Sequence, residues 1–485
     1  MKNILKTALL CVFVACVALS LAACQTDKGG ANKTPGLKTY TNKDGEVILR
    51  EYVPEEGKTV LEIPEEIDKI QAGAFKGNGT LTKIVVGSNV TEIGDGAFAN
   101  MTKLEELVLP FVGQSAEAVN AAKTFGYVFG TEEYDEGVAV TQSYNASSTA
   151  TYYIPKTLKK VTINAVGAAE EKDGQTTYAP YKLPNYAFHS MSRLESVAIE
   201  GNVSEIGDYA FYNCYGMKGF KLPAAVEKIG AHAFEGCNRI NDENKFVFAE
   251  TESKLTEIGD YAFAGARFTE LTVPEGVTKI GEGAFASVTT GVTVDQESKL
   301  EKVTLPQSLT EISKYAFFKC VNLTEVVYSD KLEVIGIGAF EYCDSLQLVK
   351  NKSSNEQVPA DGKAGKIVVG ASVLEVKAGA FANLGNEVIV YSIERARPHI
   401  PTAGTQIRKV LNKNRKGTLR RSFFYMKARV ARFIAGDGGR RCAPRGIGHI
   451  LSKRLFRRGT EHGGRGAARA GTRAYAYHIY VFFRI

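Results

Sequence analysis

Three kinds of side chain return along this chain at spacings that invite chemistry: thiols, carboxylates and aromatic rings. Of eight cysteines, Cys11, Cys16 and Cys24 fall in the first 24 residues and Cys442 lies far downstream. The other four, Cys214, Cys237, Cys320 and Cys343, share one slot, three residues past a recurring Phe. Thiols in a set could hold zinc or pair as disulfides. Asp95, Asp208, Asp260 and Glu282 recur directly after an Ile-Gly dipeptide. Carboxylates brought together could do general acid–base work. Tyr186, Tyr209, His232 and Tyr261 occupy a third slot, two residues before the recurring Phe. An exposed ladder of such rings could stack sugars or anchor a protein partner.

Catalysis and metal binding both need convergence, and the elements that carry these residues do not supply it. The phrase Ile-Gly-x-x-Ala-Phe ends at Phe98, Phe211, Phe234, Phe263, Phe285 and Phe340, with looser copies at Phe75, Phe188, Phe317 and Phe381. The interval is 23 residues from Phe75 to Phe98, Phe188 to Phe211, Phe211 to Phe234 and Phe317 to Phe340. A fixed period in the twenties is the mark of a solenoid, in which each repeat buries its apolar face against its neighbours. Equivalent positions then form lines, not clusters. The thiol slot holds Met101, Met191, Ala266, Val288 and Leu384 elsewhere, so the cysteines read as inert core, with a disulfide between stacked neighbours as the alternative. The acids read as solvated turn residues or as first-turn acids at the start of a short helix. The aromatic slot holds only Gly, Tyr or His, which suggests a cramped backbone where a Tyr ring lies flat over the next coil.

The sequence has no His-x-x-x-His pair, no Gly-x-Ser-x-Gly elbow, no phosphate loop and no acidic calcium loop. No enzyme, metal or cofactor is expected.

Between the phrases runs a second element, Leu-x-x-Leu-x-Leu-Pro. It appears at Leu104, Leu107, Leu109 and Pro110, and again at Leu300, Val303, Leu305 and Pro306. Its alternation predicts a strand with one buried face, closed by the proline. The Ile-Gly-x-x-Ala-Phe segment should supply the opposite wall as a short helical turn. Outward residues of successive strands form a column: Lys83, Glu106, Lys160, Ser196, Gly219, Glu270, Lys302 and Glu325. Such a column would make a laterally continuous face for a protein partner, or would simply pair Lys with Glu across neighbouring strands.

Together the two elements resemble the BspA-like leucine-rich repeat family of bacterial surface proteins. The resemblance implies an α/β solenoid, one short strand plus turn or short helix per coil, over residues 61–394, with residues 37–60 as an N-terminal cap. Residues 111–185 break the period and read as an oversized coil still stacked in the solenoid; the polar loop from Asn351 to Gly365 reads as a second insertion. The resemblance also implies adhesion to host or neighbouring-cell surface proteins. A carbohydrate-binding surface lipoprotein, using the aromatic stripe for glycans, is the alternative.

Lys2 and Lys6, the apolar stretch Thr7 to Leu21 and then Leu21-Ala22-Ala23-Cys24 resemble a bacterial lipoprotein signal over residues 1–23. By that resemblance Cys24 becomes the lipidated N-terminus, anchored at the outer face of a membrane. Residues 24–36, with Gly29-Gly30 and Pro35, form a flexible tether. Charge divides the remainder. The net +7 combines 23 Lys and Arg against Asp437 and Glu461 in residues 395–485 with an acidic body before them. That body holds four arginines, Arg50, Arg193, Arg239 and Arg267, whereas the last 91 residues hold eighteen. The abrupt switch, with no apolar periodicity, reads as a disordered or frameshifted tail; specific nucleic-acid binding is not expected.

Overall fold

The computed structural model describes residues 34–411, except 166, 168, 173–174, 241–245, 250–251, 288–297, 353–365, 370–371, 385–388 and 394–406. The signal, Cys24, nearly all of the tether, most of the second insertion and nearly all of the basic tail therefore lie outside the described residues.

The repeat builds a two-walled parallel stack. The Leu-x-x-Leu-x-Leu segments form the first wall, whose strands Val60–Glu62, Lys83–Val85, Glu106–Leu109, Lys160–Ala165 and Ser196–Gly201 pair side by side. Strand by strand, alternate residues point inward: Ile84, Leu107, Val161 and Val197 are buried and share one register line. A second wall, which the sequence reading did not anticipate as strands, comes from the dipeptide ending at the Ile of Ile-Gly. Tyr181–Leu183, Val203–Ile206, Lys228–Ile229, Glu257–Ile258 and Lys279–Ile280 pair in parallel. Each coil thus carries two strands.

No α-helix occurs among the described residues. After the Ile-Gly strand the chain makes successive turns, with Ala97 N donating to Gly94 O and Ala99 N to Gly96 O. The expected helical turn fails to form because the residue two before the Phe is left-handed in every coil, with φ +59° at Gly96 and +56° at Tyr209. A left-handed residue cannot sit inside a right-handed helix. It instead turns its N–H toward the neighbour: Tyr209 N donates to Ala231 O, and Phe211 N to Ala233 O. The turns therefore stack by backbone hydrogen bonds as the strands do.

The core lies between the walls and the turns. Its spine is a ladder of rings, Phe75, Phe98, Phe129, Phe125, Phe188, Phe211, Phe234, Phe263, Phe285, Phe317, Phe340 and Phe381, begun by Tyr52. Consecutive centroids lie 5.0 to 6.3 Å apart. The insert after Leu109 enters this ladder: a 3-10 turn, Phe125–Phe129, supplies two rings, so the ladder crosses the irregular coil unbroken. From the insert an antiparallel hairpin, Gly137–Asn145 with Ser148–Pro155, is fastened to the stack by Gln142. The buried Gln142 amide accepts from Gly126 N and donates to Ala187 O and His189 O. At the N-terminal end a second antiparallel hairpin, Leu37–Thr41 with Val47–Tyr52, joins Lys69–Ile70 and Glu92–Ile93 in a separate four-stranded piece of the second wall.

The first wall is not one sheet. It breaks into a five-stranded, a two-stranded and a seven-stranded piece, with Phe220–Lys221 and Phe246–Val247 as the short middle piece. The expected laterally continuous face is therefore interrupted. At Gly219 the backbone turns left-handed, φ +76°, so this member of the expected column begins no strand. Phe220 then packs edge-on against Phe234, 5.0 Å between centroids, and the short strand it begins pairs only with Phe246–Val247.

Candidate functional site

The strand column satisfies itself. Lys83 and Glu106 lie opposite one another and form an ion pair at 3.1 Å. Glu270, Lys302 and Glu325 follow in register, and Glu325 is held by Lys302 at 3.8 Å and by Lys350 at 3.0 Å. The second wall repeats the device: Lys69 sits between Glu46 (2.9 Å) and Glu92 (3.5 Å), and Glu205 between Lys182 (3.6 Å) and Lys228 (3.5 Å). Lys69 is held more basic than usual by its hydrogen bond to Glu46, whose own carboxyl is held down by Lys69. Much of the charge in the two columns is thus paired along the stack, although Glu311 and Glu375 of the second wall lie opposite Val334. This second column was legible as alternating Lys and Glu directly before the Ile, but only parallel pairing tells that neighbours in the alternation touch.

The thiol slot is core. Cys214, Cys237, Cys320 and Cys343 are buried and unpaired as disulfides. Each thiol donates to the carbonyl of the repeat Phe one coil back, Cys214 to Phe188 O at 3.1 Å and Cys343 to Phe317 O at 3.1 Å. Burial pushes the Cys214 and Cys320 thiols up to about 12, and Cys237 and Cys343 well up, which leaves them un-ionised and unreactive.

The acids after Ile-Gly tie coil to coil. Asp208 Oδ1 accepts from Ala231 N at 2.7 Å, and Asp260 Oδ1 from Glu282 N at 2.7 Å; Asn185 plays the same part for Asp208 N. These carboxylates form a row along the stack, with no shared reacting atom between them.

The aromatic slot forms the second ladder of the molecule, on the turn face. Tyr186 and Tyr209 are parallel at 5.0 Å and 1°, Tyr209 and His232 at 4.5 Å and 9°, His232 and Tyr261 at 5.2 Å and 11°. All four are half-buried and left-handed. Both faces of Tyr209 and His232 are covered by neighbouring rings. The outer face of Tyr186 faces Lys123 Nζ, 5.6 Å from the centroid. That of Tyr261 lies over Gly283, where an added Cβ would sit 2.3 Å from the ring. Tyr315 repeats this over Gly338, also at 2.3 Å. The Gly-or-aromatic alternation thus has two causes: a left-handed backbone, and room for a ring on the coil before. Since the faces are taken, only edges and phenol oxygens point outward.

Around this ladder the structure gathers aromatic groups that the single-slot reading missed. His189 stacks on Tyr212 at 5.1 Å and lies 5.8 Å from Tyr186; Tyr212 meets Tyr209 edge-on at 5.5 Å; Tyr215 is 44% exposed. The signal was present, as His189 and Tyr212 both directly follow a repeat Phe, but only the stacking of coils makes the two slots one surface. Burial pushes the Tyr186, Tyr209, Tyr212 and Tyr215 phenols up, helped by the nearby carboxylates Asp208 or Glu235. The phenols stay neutral and able to donate. His189 is pushed down by burial; its Nδ1 accepts from Ser143 N and meets Ser190 Oγ. His232 Nδ1 lies against the Glu235 carboxylate.

Comparison with known proteins decides the family. The sequence matches the BspA type leucine-rich repeat region in six copies, over residues 57–118, 143–241, 175–292 and 256–386. The chain belongs to that family. The matches span well over half of the sequence and include the strand walls and the aromatic slot. Solved structures to which the chain is similar include a leucine-rich repeat protein from Bacteroides ovatus, 17% identical over 74% of this chain and 99% of that one, TM-score 0.32. A leucine-rich cell surface protein from Faecalibacterium prausnitzii is 18% identical, covering 74% and 93%, TM-score 0.28. The pneumococcal vaccine antigen PcpA is 18% identical, covering 72% and 82%, TM-score 0.26. A search of curated proteins finds no match. For this BspA-type chain the family supports a repeat scaffold for protein interaction. Among the described residues, no helix is long and apolar enough to cross a membrane.

Proposed function

We propose that this chain is a surface-displayed, adhesin-type binding protein that takes hold of host or neighbouring-cell proteins through its aromatic turn face. Cys24, lipidated, would hold it to the membrane. The observation that carries the reading is the contrast between surfaces. Most of the Lys and Glu in the wall columns pair with one another along the stack, and such pairs at a surface contribute little energy. The turn face instead gathers Tyr186, His189, Tyr209, Tyr212, Tyr215 and His232, and aromatic side chains dominate protein interfaces because they bury large area at low entropic cost. Catalysis has no place in this reading. Glycan capture by ring stacking needs an open face, and the ladder offers edges.

The test uses the intact chain against immobilised matrix proteins and a glycan array in parallel, with a triple variant Tyr186→Gly, Tyr209→Gly and Tyr261→Gly. Glycine keeps the left-handed backbone that other coils already use. Saturable protein binding lost in the triple variant supports the reading. Binding to glycans alone, or protein binding that the variant retains, overturns it.

A further inference from the structure

The antiparallel hairpin Gly137–Asn145 with Ser148–Pro155 is a sheet of its own, pairing with no other strand among the described residues. Its two halves are held to the stack in different ways. At the root, Val140 and Ile154 are buried and line one small apolar cavity with Met191 and Leu194 of the stack. Tyr152 Oη donates to Ala121 O and Tyr153 N to Gly130 O, both at 3.2 Å. Toward the tip the fastenings are polar, and two of them meet at one residue. Gln142, already bonded to Gly126 N and Ala187 O, donates to His189 O at 3.1 Å. Ser143 N donates to His189 Nδ1 at 3.4 Å. The tip is thus tied to both the backbone and the ring of His189.

Nδ1 accepts the Ser143 N–H only while the imidazole is neutral, because an imidazolium donates from both nitrogens. Ser190 Oγ, 2.9 Å from the same Nδ1, can turn from donor to acceptor and hold the ring in either state. A backbone N–H cannot turn. The titratable groups facing the ring are the phenols of Tyr212, at 5.1 Å, and Tyr186, at 5.8 Å, with Lys123 over the Tyr186 ring. Gln142 and Ser143 bring no charge from the hairpin. Burial is what acts on His189, and no carboxylate among the described residues offsets it. We propose that His189 is a proton-operated catch, whose protonation releases the hairpin tip, residues 142–150, while the root and the coils stay folded. The protonated ring opposes one N–H with another and holds a charge away from water. Lifting the tip hydrates both. Since burial sets the folded value below the ordinary one, docking is complete above the usual histidine range and is lost as pH falls through the folded value. The strip that opens lies beside Tyr186 and Tyr212, and the catch stands whether or not that face docks a partner.

The test is amide hydrogen exchange of the full chain, read by mass spectrometry at about pH 7.5 and about pH 5 and corrected for the intrinsic exchange rate. Protection across residues 142–150 is expected to fall about tenfold in acid, while peptides holding Phe211, Phe234 and Phe263 keep theirs. Two variants abolish the titration in different ways. His189→Asn keeps an acceptor for Ser143 N and should leave the tip protected at both pH values. His189→Phe keeps a ring on Tyr212 but offers no acceptor, and should leave the tip less protected at both. Loss of the pH step in these variants, with the step present in the parent chain, supports the catch. No step in the parent, a step that survives in either variant, or acid exposure of the tip and the Phe211 to Phe263 peptides alike overturns it.

Discussion

The molecule contains two aromatic ladders with nearly the same rise, and they do opposite things. The phenylalanine ladder is buried and runs without a gap through the regular coils and the insert alike. The tyrosine ladder is half-buried, runs for four rungs, and gives way to Gly on either side at Gly96 and Gly283. In the first, every coil must contribute a ring because a missing one leaves a void between walls. In the second, a coil contributes either a ring or the space on which a ring rests. A solenoid thus fixes its core position by position and leaves its turn face free to vary, which is where partner recognition can be written without disturbing the stack.

The sharpest way to break this comparison is to remove one rung from each. Phe211→Ala, fully buried between Phe188 and Phe234, is expected to cost about 3–5 kcal/mol, read as a lowered urea midpoint. Next in size is Gly207→Ala. Its Cβ would sit 2.6 Å from Asn185 N and Leu183 O, forcing neighbouring coils apart at a cost of about 1–3 kcal/mol by the same measurement. Tyr209→Gly is expected to change stability by no more than about 1 kcal/mol, because lost stacking is offset by relief of a left-handed side chain, while partner binding falls. If Tyr209→Gly unfolds the chain as Phe211→Ala does, the two ladders are equivalent and the contrast fails.

A pH series sharpens the boundary between ladder and insert. His189 is held neutral by burial, with Ser143 N donating to its Nδ1. Its folded value lies below the ordinary one, so its contribution is complete above the usual histidine range and is lost as pH falls through the folded value. The urea midpoint should drop with acid, and His189→Asn should flatten part of that drop relative to the parent chain. The smallest effect is expected on the walls: Lys83→Ala, one half of a half-buried surface pair, should change stability by less than about 1 kcal/mol.

Legibility in the sequence followed the period. The recurring Phe announced the core ladder, and the company kept by Cys214 and Cys237 in their slot (Met, Ala, Leu) announced inert thiols, since a slot that accepts several apolar residues has no chemistry to protect. The Gly, Tyr or His alternation announced a constrained backbone. Hidden from the sequence were the breaks in the first wall, because Gly219 and Phe220 still fit the repeat pattern loosely, and a strand's pairing depends on its neighbours. Hidden too was the merging of two slots, His189 and Tyr212 with Tyr186 and Tyr209, into a single surface.

By itself the sequence determined the stacked architecture, the buried face of each coil and the places where only glycine or a tolerant residue could turn, because these follow from local pattern repeated at one interval. Only the tertiary structure decided which charges neutralise one another and which ring faces are closed. Those outcomes depend on what lies one coil away, 5.0 Å across the stack at Tyr186 and Tyr209 but 23 residues along the chain, a neighbour that adjacency in sequence does not reveal.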